Sequence, residues 1–215
     1  MKKSLLIAVL AIIANSTFAQ TIKFGLDAGI NLANQSFHAN SETPTFNNTK
    51  NITDFHAGGL VDIGFTHFSL QPGLLYINKG YQFNEALTTV DGSMSKNYDF
   101  KFKYHYLELP INVLYKAQVG TGKVFAGAGP YVAYALSGSA PFLNNSPGGT
   151  QRVSLFDYIN NKRFDYGLNF TAGYQLKNGF GLSAQYGLGL GNLEDSKYGS
   201  QRNRVISLSV LYFFK

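Results

Sequence analysis

Eight segments of this chain alternate strictly between apolar residues and small or polar ones. The segment at 164–177 is the most regular: its even positions are Phe, Tyr, Leu, Phe, Ala, Tyr and Leu, and its odd positions are Asp, Gly, Asn, Thr, Gly, Gln and Lys. Successive side chains of a β-strand point to opposite faces, so this period of two predicts a strand with one apolar and one polar face. The other segments lie at about 22–32, 54–65, 68–79, 107–116, 123–137, 180–190 and 205–214.

Three properties of these segments favour a membrane barrel over a soluble sandwich, whose strands alternate as well. The segments run to about ten residues or more, as tilted membrane-spanning strands do, whereas strands in globular proteins average about five or six. Their non-apolar face is mainly Gly, Ser, Asn and Gln, which suits a filled polar lumen. Aromatic residues stand near the segment ends, as in the interfacial girdles of a barrel, and only 14% of the chain is charged.

Short and long connections alternate between the segments. The short ones lie near 66–67, 120–122 and 178–179, and the last is Asn-Gly, a strong tight-turn signal. Barrels of the outer membrane have short periplasmic turns and longer external loops. The sequence therefore predicts an all-β fold, an eight-stranded antiparallel up-and-down transmembrane β-barrel in a Gram-negative-type outer membrane, with a lumen filled by its own side chains. The predicted external loops cover about 34–53, 82–100, 138–163 and 191–202.

The first 19 residues have the layout of a secretory signal peptide. Lys2 and Lys3 form a charged start, residues 5–14 form an apolar stretch, and Ala19 ends a small-residue cleavage motif. The apolar stretch is short for an uncleaved anchor, since a spanning helix needs about 20 apolar residues. We expect cleavage between Ala19 and Gln20, which leaves residues 20–215 as the barrel domain.

Charged residues on the inward parity form the main candidate site. A charge in a narrow lumen must be paired, because an unpaired buried charge costs several kcal/mol. We therefore expect a structural network of salt bridges with Glu108 as a central acceptor; a ligand or proton pathway is the alternative. The nine residues of this lumen charge network are Lys23, Asp27, Asp62, Lys79, Glu108, Lys116, Lys123, Asp165 and Lys177.

Pro72, Pro110 and Pro130 fall within predicted strands, and we assign all three to the outward parity. A proline lacks the backbone donor that a sheet ladder needs, and a closed barrel has no free edge on which to place it. Counting from the intervening turns puts the three prolines roughly opposite one another. This predicts a bulge or a weakly hydrogen-bonded band; the alternative is three tolerated single defects.

No catalytic, metal or cofactor site is predicted. The chain has no cysteine, which excludes thiolate metal sites, disulfides and cysteine nucleophiles. Its four histidines lie in separate elements without diagnostic spacing for a metal or a catalytic pair. The lysines and arginines are scattered and form no basic stripe, which argues against nucleic-acid binding.

Two stretches, YHYLELPINVLYK from Tyr104 to Lys116 and FAGAGPYVAYALSG from Phe125 to Gly138, resemble the PorT-like outer-membrane β-barrel domain family of Bacteroidetes. The Ala19-Gln20 junction and the aromatic end of the chain fit this resemblance. It implies a barrel fold in the outer membrane, and one branch of the family takes part in a protein-secretion apparatus.

The leading functional hypothesis is a non-enzymatic barrel with a structural or binding role through its long external loops. Its partners are then outer-membrane lipid, the barrel-insertion machinery and an envelope protein. The first alternative is an accessory component of a protein-secretion or transport assembly, which only the family resemblance suggests. The second is a barrel enzyme acting on lipid or peptide, which requires a histidine beside a serine or aspartate at the outer rim.

Overall fold

The computed structural model describes residues 21–39, 49–88, 95–143, 150–154, 156, 162–193 and 199–214. Within these residues, no helix is long and apolar enough to span a membrane. The predicted signal peptide and its cleavage site at Ala19 and Gln20 lie outside them. The described strands are β1 (Thr21–Ala39), β2 (Ile52–Gly64), β3 (Phe68–Thr88), β4 (Ser95–Val119), β5 (Gly122–Leu143), β6 (Thr150–Ser154), β7 (Phe164–Leu176), β8 (Phe180–Gly189) and β9 (Gly199–Phe213).

Eight of these strands form a closed antiparallel ring. Each pairs with its neighbours in the order β1, β2, β3, β4, β5, β7, β8, β9. The pairing of β1 with β9, from Gly25 with Phe213 to Ala39 with Gly199, closes the sheet. The short strand β6 lies outside the ring and pairs with the far end of β5. The predicted eight-stranded up-and-down barrel is confirmed.

The outer surface of the ring carries the apolar face of each strand. Phe24 of β1 and Leu182 of β8 are 64% and 65% exposed, as side chains that meet lipid should be. Asn31 of β1 and Asp165 of β7, on the opposite parity, are fully buried. The alternation in the sequence therefore predicted correctly which face of these strands turns outward.

Three short turns lie at one end of the barrel, which we call the turn end, and the longer connections lie at the other, the loop end. The turns cover residues 65–67, 120–121 and 177–179. Gly120 and Gly179 have φ angles of 58° and 98°, a region that is strained for residues with a side chain. The predicted turns are thus present, and both ends of the described chain, Thr21 and Phe214, lie at the turn end.

The strands extend further at the loop end than the sequence predicted. Strand β3 continues to Thr88 and β4 begins at Ser95, so most of the predicted loop at 82–100 is a hairpin. The loop prediction was wrong there because the pattern of apolar residues outward and polar residues inward reverses: the aromatic residues Tyr81 and Tyr104 point inward and are buried. The other predicted loops are also shortened, since β1 ends at Ala39, β5 ends at Leu143, β6 covers 150–154 and β9 begins at Gly199.

The interior is filled in layers along the barrel. A cluster of five apolar side chains lies toward the turn end, and polar and charged residues occupy the middle. An aromatic layer fills the interior toward the loop end. The turn-end cluster is Leu60, Leu114, Phe125, Leu211 and Phe213, and the aromatic layer contains Tyr81, Tyr104, Tyr106 and Tyr131 with Phe37, Phe83, Phe102 and Phe156 packed against them.

The sheet ladder is interrupted beside each mid-strand proline. The β2–β3 register omits Pro72, the β3–β4 register omits Pro110, and the β4–β5 register omits Pro130. The expected weakly bonded band is therefore present across three successive pairings. The outward assignment of Pro110 was wrong, however: it is buried, because Leu109 and Ile111 take the outward positions on either side of it.

Candidate functional site

The middle of the lumen holds one lysine between two carboxylates. Lys79 Nζ of β3 lies 2.8 Å from Glu108 Oε2 of β4 and 3.1 Å from Asp165 Oδ2 of β7. All three side chains are at most 2% exposed. Each of the three has inward parity on its own strand, and the pairing of the strands places them at one height in the barrel. Their opposite charges offset the desolvation that burial imposes on each of them.

Neutral groups complete this central cluster. The Tyr131 hydroxyl and Asn203 Nδ2 both donate to Asp165 Oδ2, at 3.2 and 2.9 Å. Asn169 Nδ2 donates to Glu108 Oε1 at 3.2 Å. The ammonium of Lys79 also lies 4.3 Å from the centre of the Tyr131 ring, a favourable cation–π distance. The buried charges are thus held by several directed contacts as well as by one another.

A chain of amides leads from the central cluster toward the loop end. Asn203, which donates to Asp165, accepts from Gln35 Nε2 at 2.9 Å. Gln35 in turn accepts from Gln201. These side chains are nearly fully buried, so a hydrogen-bonded network, and not a water channel, fills this part of the lumen. Sequence reasoning missed these residues, because it placed Gln35 and Gln201 in predicted loops and began the last strand after Asn203.

A second polar cluster surrounds His56 of β2. Its Nδ1 lies 2.7 Å from Asn31 Oδ1, and its Nε2 lies 2.8 Å from Ser209 Oγ and 3.2 Å from Asp27 Oδ1. Ser207 donates to the same Asn31 oxygen at 2.8 Å. Asp27, one of the nine predicted charges, therefore contacts a histidine and not a lysine.

The Ser209–His56 contact has the form of a nucleophile and its base, yet its surroundings leave no place for a substrate. Ser209 is 7% exposed and His56 is 3% exposed. A Cβ added to Gly29 would lie 2.7 Å from His56 Cε1, so the backbone of β1 packs directly on the imidazole. A neighbouring mid-lumen cavity that includes Asp27 has a volume of about 20 Å³, enough for about one water molecule.

The other histidines lie apart from this cluster. His105 Nδ1 is 2.6 Å from Asn78 Oδ1 and 2.8 Å from the Tyr76 hydroxyl. His67, at a turn, stacks on Tyr115. The side chain of His38 lies outside the described residues. Nothing in these contacts places a histidine beside a serine or an aspartate at the outer rim.

An ion pair toward the loop end was not predicted. Lys103 Nζ of β4 lies 2.7 Å from Asp54 Oδ2 of β2, and Asn78 Nδ2 of the intervening strand donates to Asp54 Oδ1 at 2.7 Å. Sequence reasoning missed Lys103 because it placed residues 82–100 in a loop and began the fourth strand at Leu107. The alternation of lysine with aromatic residues at 100–104 was the signal that could have extended the strand.

The remaining predicted charges lie at the turn end. Lys116 Nζ contacts both carboxylate oxygens of Asp62, at 2.7 and 2.6 Å. Lys23, Lys123 and Lys177 are exposed and line a cavity of about 290 Å³ together with this pair. The nine charges thus form a central cluster, a histidine contact and a turn-end group, not one continuous network.

Comparison with known proteins identifies the class of barrel. The family described as "Outer membrane protein beta-barrel domain" matches residues 18–195. A comparison with curated proteins finds no match.

Among solved structures, the chain is similar to Neisserial surface protein A, with 12% identity, a TM-score of 0.45, and coverage of 91% of this chain and 99% of that one. It is also similar to OprG from Pseudomonas aeruginosa, with 9% identity, a TM-score of 0.46, and coverage of 91% and 97%. Ail from Yersinia pestis shares 16% identity at a TM-score of 0.33, with coverage of 90% and 100%. By the family match across most of its length, this chain belongs to the outer membrane protein β-barrel domain family and is a protein of the Gram-negative outer membrane.

Proposed function

We propose that this protein is a closed, non-enzymatic outer-membrane barrel with a structural or binding role at its external end. The observation that carries the proposal is the filled interior. The turn-end apolar cluster, the buried Lys79 cluster and the aromatic layer follow one another along the lumen. An eight-stranded barrel is only wide enough to be filled in this way, so we expect no aqueous pore.

The binding part of the proposal is supported by the hairpin of β3 and β4. From Ile77 to Thr88 every residue of β3 pairs with β4, a length of roughly 40 Å at about 3.3 Å per residue. Phe83 stacks on Phe100 and Phe102 across this hairpin, at 5.1 and 5.6 Å between ring centres. In this proposal the loop end faces outward and presents a hydrogen-bonded β-wall, which suits recognition because a surface already held by strand pairing loses less entropy when a partner binds.

Crosslinking in the native envelope tests this proposal. The full chain is compared with a variant that lacks residues 83–100 and joins Gln82 to Lys101 through an Asn-Gly turn. We expect the variant to retain its barrel, measured by thermal unfolding, and to lose its crosslinked partner. Thr66→Ser, at a short turn, is the control that should keep the partner. A partner retained by the shortened variant contradicts binding through the hairpin.

Planar-bilayer recording tests the closed lumen separately. The purified full chain should give no sustained ion conductance, since charged and aromatic side chains fill the interior. Stable open channels would contradict the proposal of a closed barrel.

The finer family assignment is part of the proposal. The stretches at 104–116 and 125–138 support membership of the PorT-like branch, and through it the alternative of an accessory component in a secretion or transport assembly. A stoichiometric crosslinked partner from a secretion apparatus would favour that alternative. An enzyme acting on lipid or peptide is disfavoured by the packing of Gly29 against His56.

We also propose that residues 1–19 are removed during export, and that outer-membrane lipid and the insertion machinery are the general partners of the mature barrel. Mass spectrometry of the protein from purified outer membranes should find Gln20 at the mature N-terminus. A mature chain that still begins at Met1 would contradict the predicted cleavage.

A further inference from the structure

The turn end of the barrel contains a cavity with an unusual concentration of positive charge. Its volume is about 290 Å³. Four lysines from different parts of the ring line it: Lys23 of β1, Lys116 of β4, Lys123 of β5 and Lys177 of the turn between β7 and β8. Lys23, Lys116 and Lys123 converge because each has inward parity near the end of its strand, and Lys177 directly follows the end of β7.

The negative charge at this cavity is much smaller. Asp62 is its one lining carboxylate among the described residues, and it is held by Lys116 at 2.6 and 2.7 Å. In the part of the chain that the structure describes, no carboxylate lies within 4.0 Å of Lys23, Lys123 or Lys177. Among the described residues, three lysines around one cavity therefore have no ion-pair partner.

The charges act on a shared space. Lys23 and Lys123 line the same cavity as Lys116, so three like charges border it. The middle of the same lumen shows the opposite arrangement, since Lys79 there is shared by Glu108 and Asp165. The fold thus matches Lys79 and Lys116 with carboxylates, whereas Lys23, Lys123 and Lys177 have no carboxylate partner among the described residues and can bind an external anion.

The rest of the cavity wall suits a polar ligand. Gln118 and Gln175 supply amide groups, and Thr21 and Thr66 supply hydroxyls. Gly64 has no side chain and leaves open space beside it: a Cβ built there would have its nearest neighbour, the Thr21 backbone oxygen, at 3.5 Å. Hydrogen-bond donors and cations therefore surround the cavity. Its volume is near the lower limit for small-molecule sites, whose volumes are roughly 300–1,000 Å³.

We propose that this lysine-lined cavity binds phosphate groups at the periplasmic mouth of the barrel. A phosphate carries up to two negative charges and several acceptor oxygens, and lysine binds it as a point charge with rotatable donors. Three lysines on two strands and a turn, with no carboxylate partner among the described residues, match such an anion better than they match a single carboxylate. The phosphate group belongs either to a small phosphorylated molecule or to a lipid headgroup of the inner leaflet. The site lies at the end opposite to the proposed binding hairpin and is independent of it.

Calorimetry with inorganic pyrophosphate tests the site in the purified full chain, held in a neutral detergent at low ionic strength. We expect one pyrophosphate per barrel and an affinity that falls as salt is added, since exposed charges are screened. In the double variant Lys23→Gln with Lys123→Gln, we expect affinity at least about tenfold lower, because two charges are lost. Lys50→Gln, an exposed lysine at the loop end, is the matched control and should bind as the parent does.

The outcomes separate clearly. No binding by the parent, equal binding by the double variant, or equal affinity for chloride would overturn the proposal. If the double variant does not fold, Lys177→Gln alone replaces it, with a smaller loss expected. Nanodiscs distinguish the source of phosphate: weaker pyrophosphate binding in phosphatidylglycerol than in an anionic, phosphate-free glycolipid of the same charge indicates a lipid headgroup, and equal binding indicates a free phosphorylated molecule.

Discussion

The ammonium of Lys79 and the carboxylate of Glu108 meet at 2.8 Å in the middle of the barrel, where neither side chain is more than 2% exposed. They come from neighbouring strands, and Asp165 from β7 reaches the same lysine from across the lumen. Contacts of this kind join opposite walls of the ring. The central cluster therefore contributes to the barrel as a whole and not only to one pair of strands.

Replacing Lys79 with Met should lower the free energy of unfolding by about 3–5 kcal/mol, because it leaves two buried carboxylates without their cation. Glu108→Ala should also lower the unfolding temperature, but it should destabilise the barrel less than the Lys79 variant does, because Lys79 keeps its ion pair with Asp165. Circular dichroism follows both measurements: denaturant unfolding gives the free energy, and a thermal melt gives the unfolding temperature. Lys50→Met at the exposed loop end serves as the control. An unchanged melt for either central variant would argue against the network.

Gly127→Ala should prevent or strongly reduce barrel folding. A Cβ at this position would lie 1.9 Å from the Val113 carbonyl oxygen of β4, so the two strands must separate locally. Gly59→Ala is the matched control, because the nearest atom to its Cβ would be the Gly25 oxygen at 3.8 Å. The yield of folded barrel from refolding compares the two. Normal folding of the Gly127 variant would show that the strands accommodate the methyl group.

Backbone amides beside the proline gaps should exchange with solvent faster than those of the continuous β7–β8 ladder. The missing pairs next to Pro72, Pro110 and Pro130 leave fewer hydrogen bonds to protect them. Pro130→Val, at an exposed outward position, restores a donor and should slow exchange near Ile111. Hydrogen exchange with mass spectrometry makes the comparison. Equal protection along both ladders would rule out the weak band.

Ser209 should not react with a fluorophosphonate probe, although its hydroxyl lies 2.8 Å from His56 Nε2. The serine is buried and the space around it is filled, so the probe cannot reach it. Ser209→Ala should lower stability by about 1 kcal/mol through the lost hydrogen bond. Intact-mass analysis after treatment detects labelling. An adduct on Ser209 that is absent from the Ala variant would revive the hydrolase alternative.

The period-two pattern by itself determined the strand number, the closed antiparallel fold and the outward face of each predicted segment. It also placed Lys79, Glu108 and Asp165 on the inward side, because parity along a strand is a local property of the backbone. The same rule failed at the loop end, where Tyr81 and Tyr104 reverse the apolar-outward pattern. It was also misapplied to Pro110, whose neighbours Leu109 and Ile111 show its true parity.

Only the tertiary structure decided which inward residues meet. Lys79 and Asp165 are 86 positions apart in the chain, and their contact depends on the register and tilt of the strands round the ring. The same geometry joins His56 to Ser209 and brings Lys23, Lys123 and Lys177 to one cavity, where none of the three has an ion-pair partner among the described residues. Alternation assigns a side to each residue, but height along the barrel comes from strand pairing, which no single segment encodes.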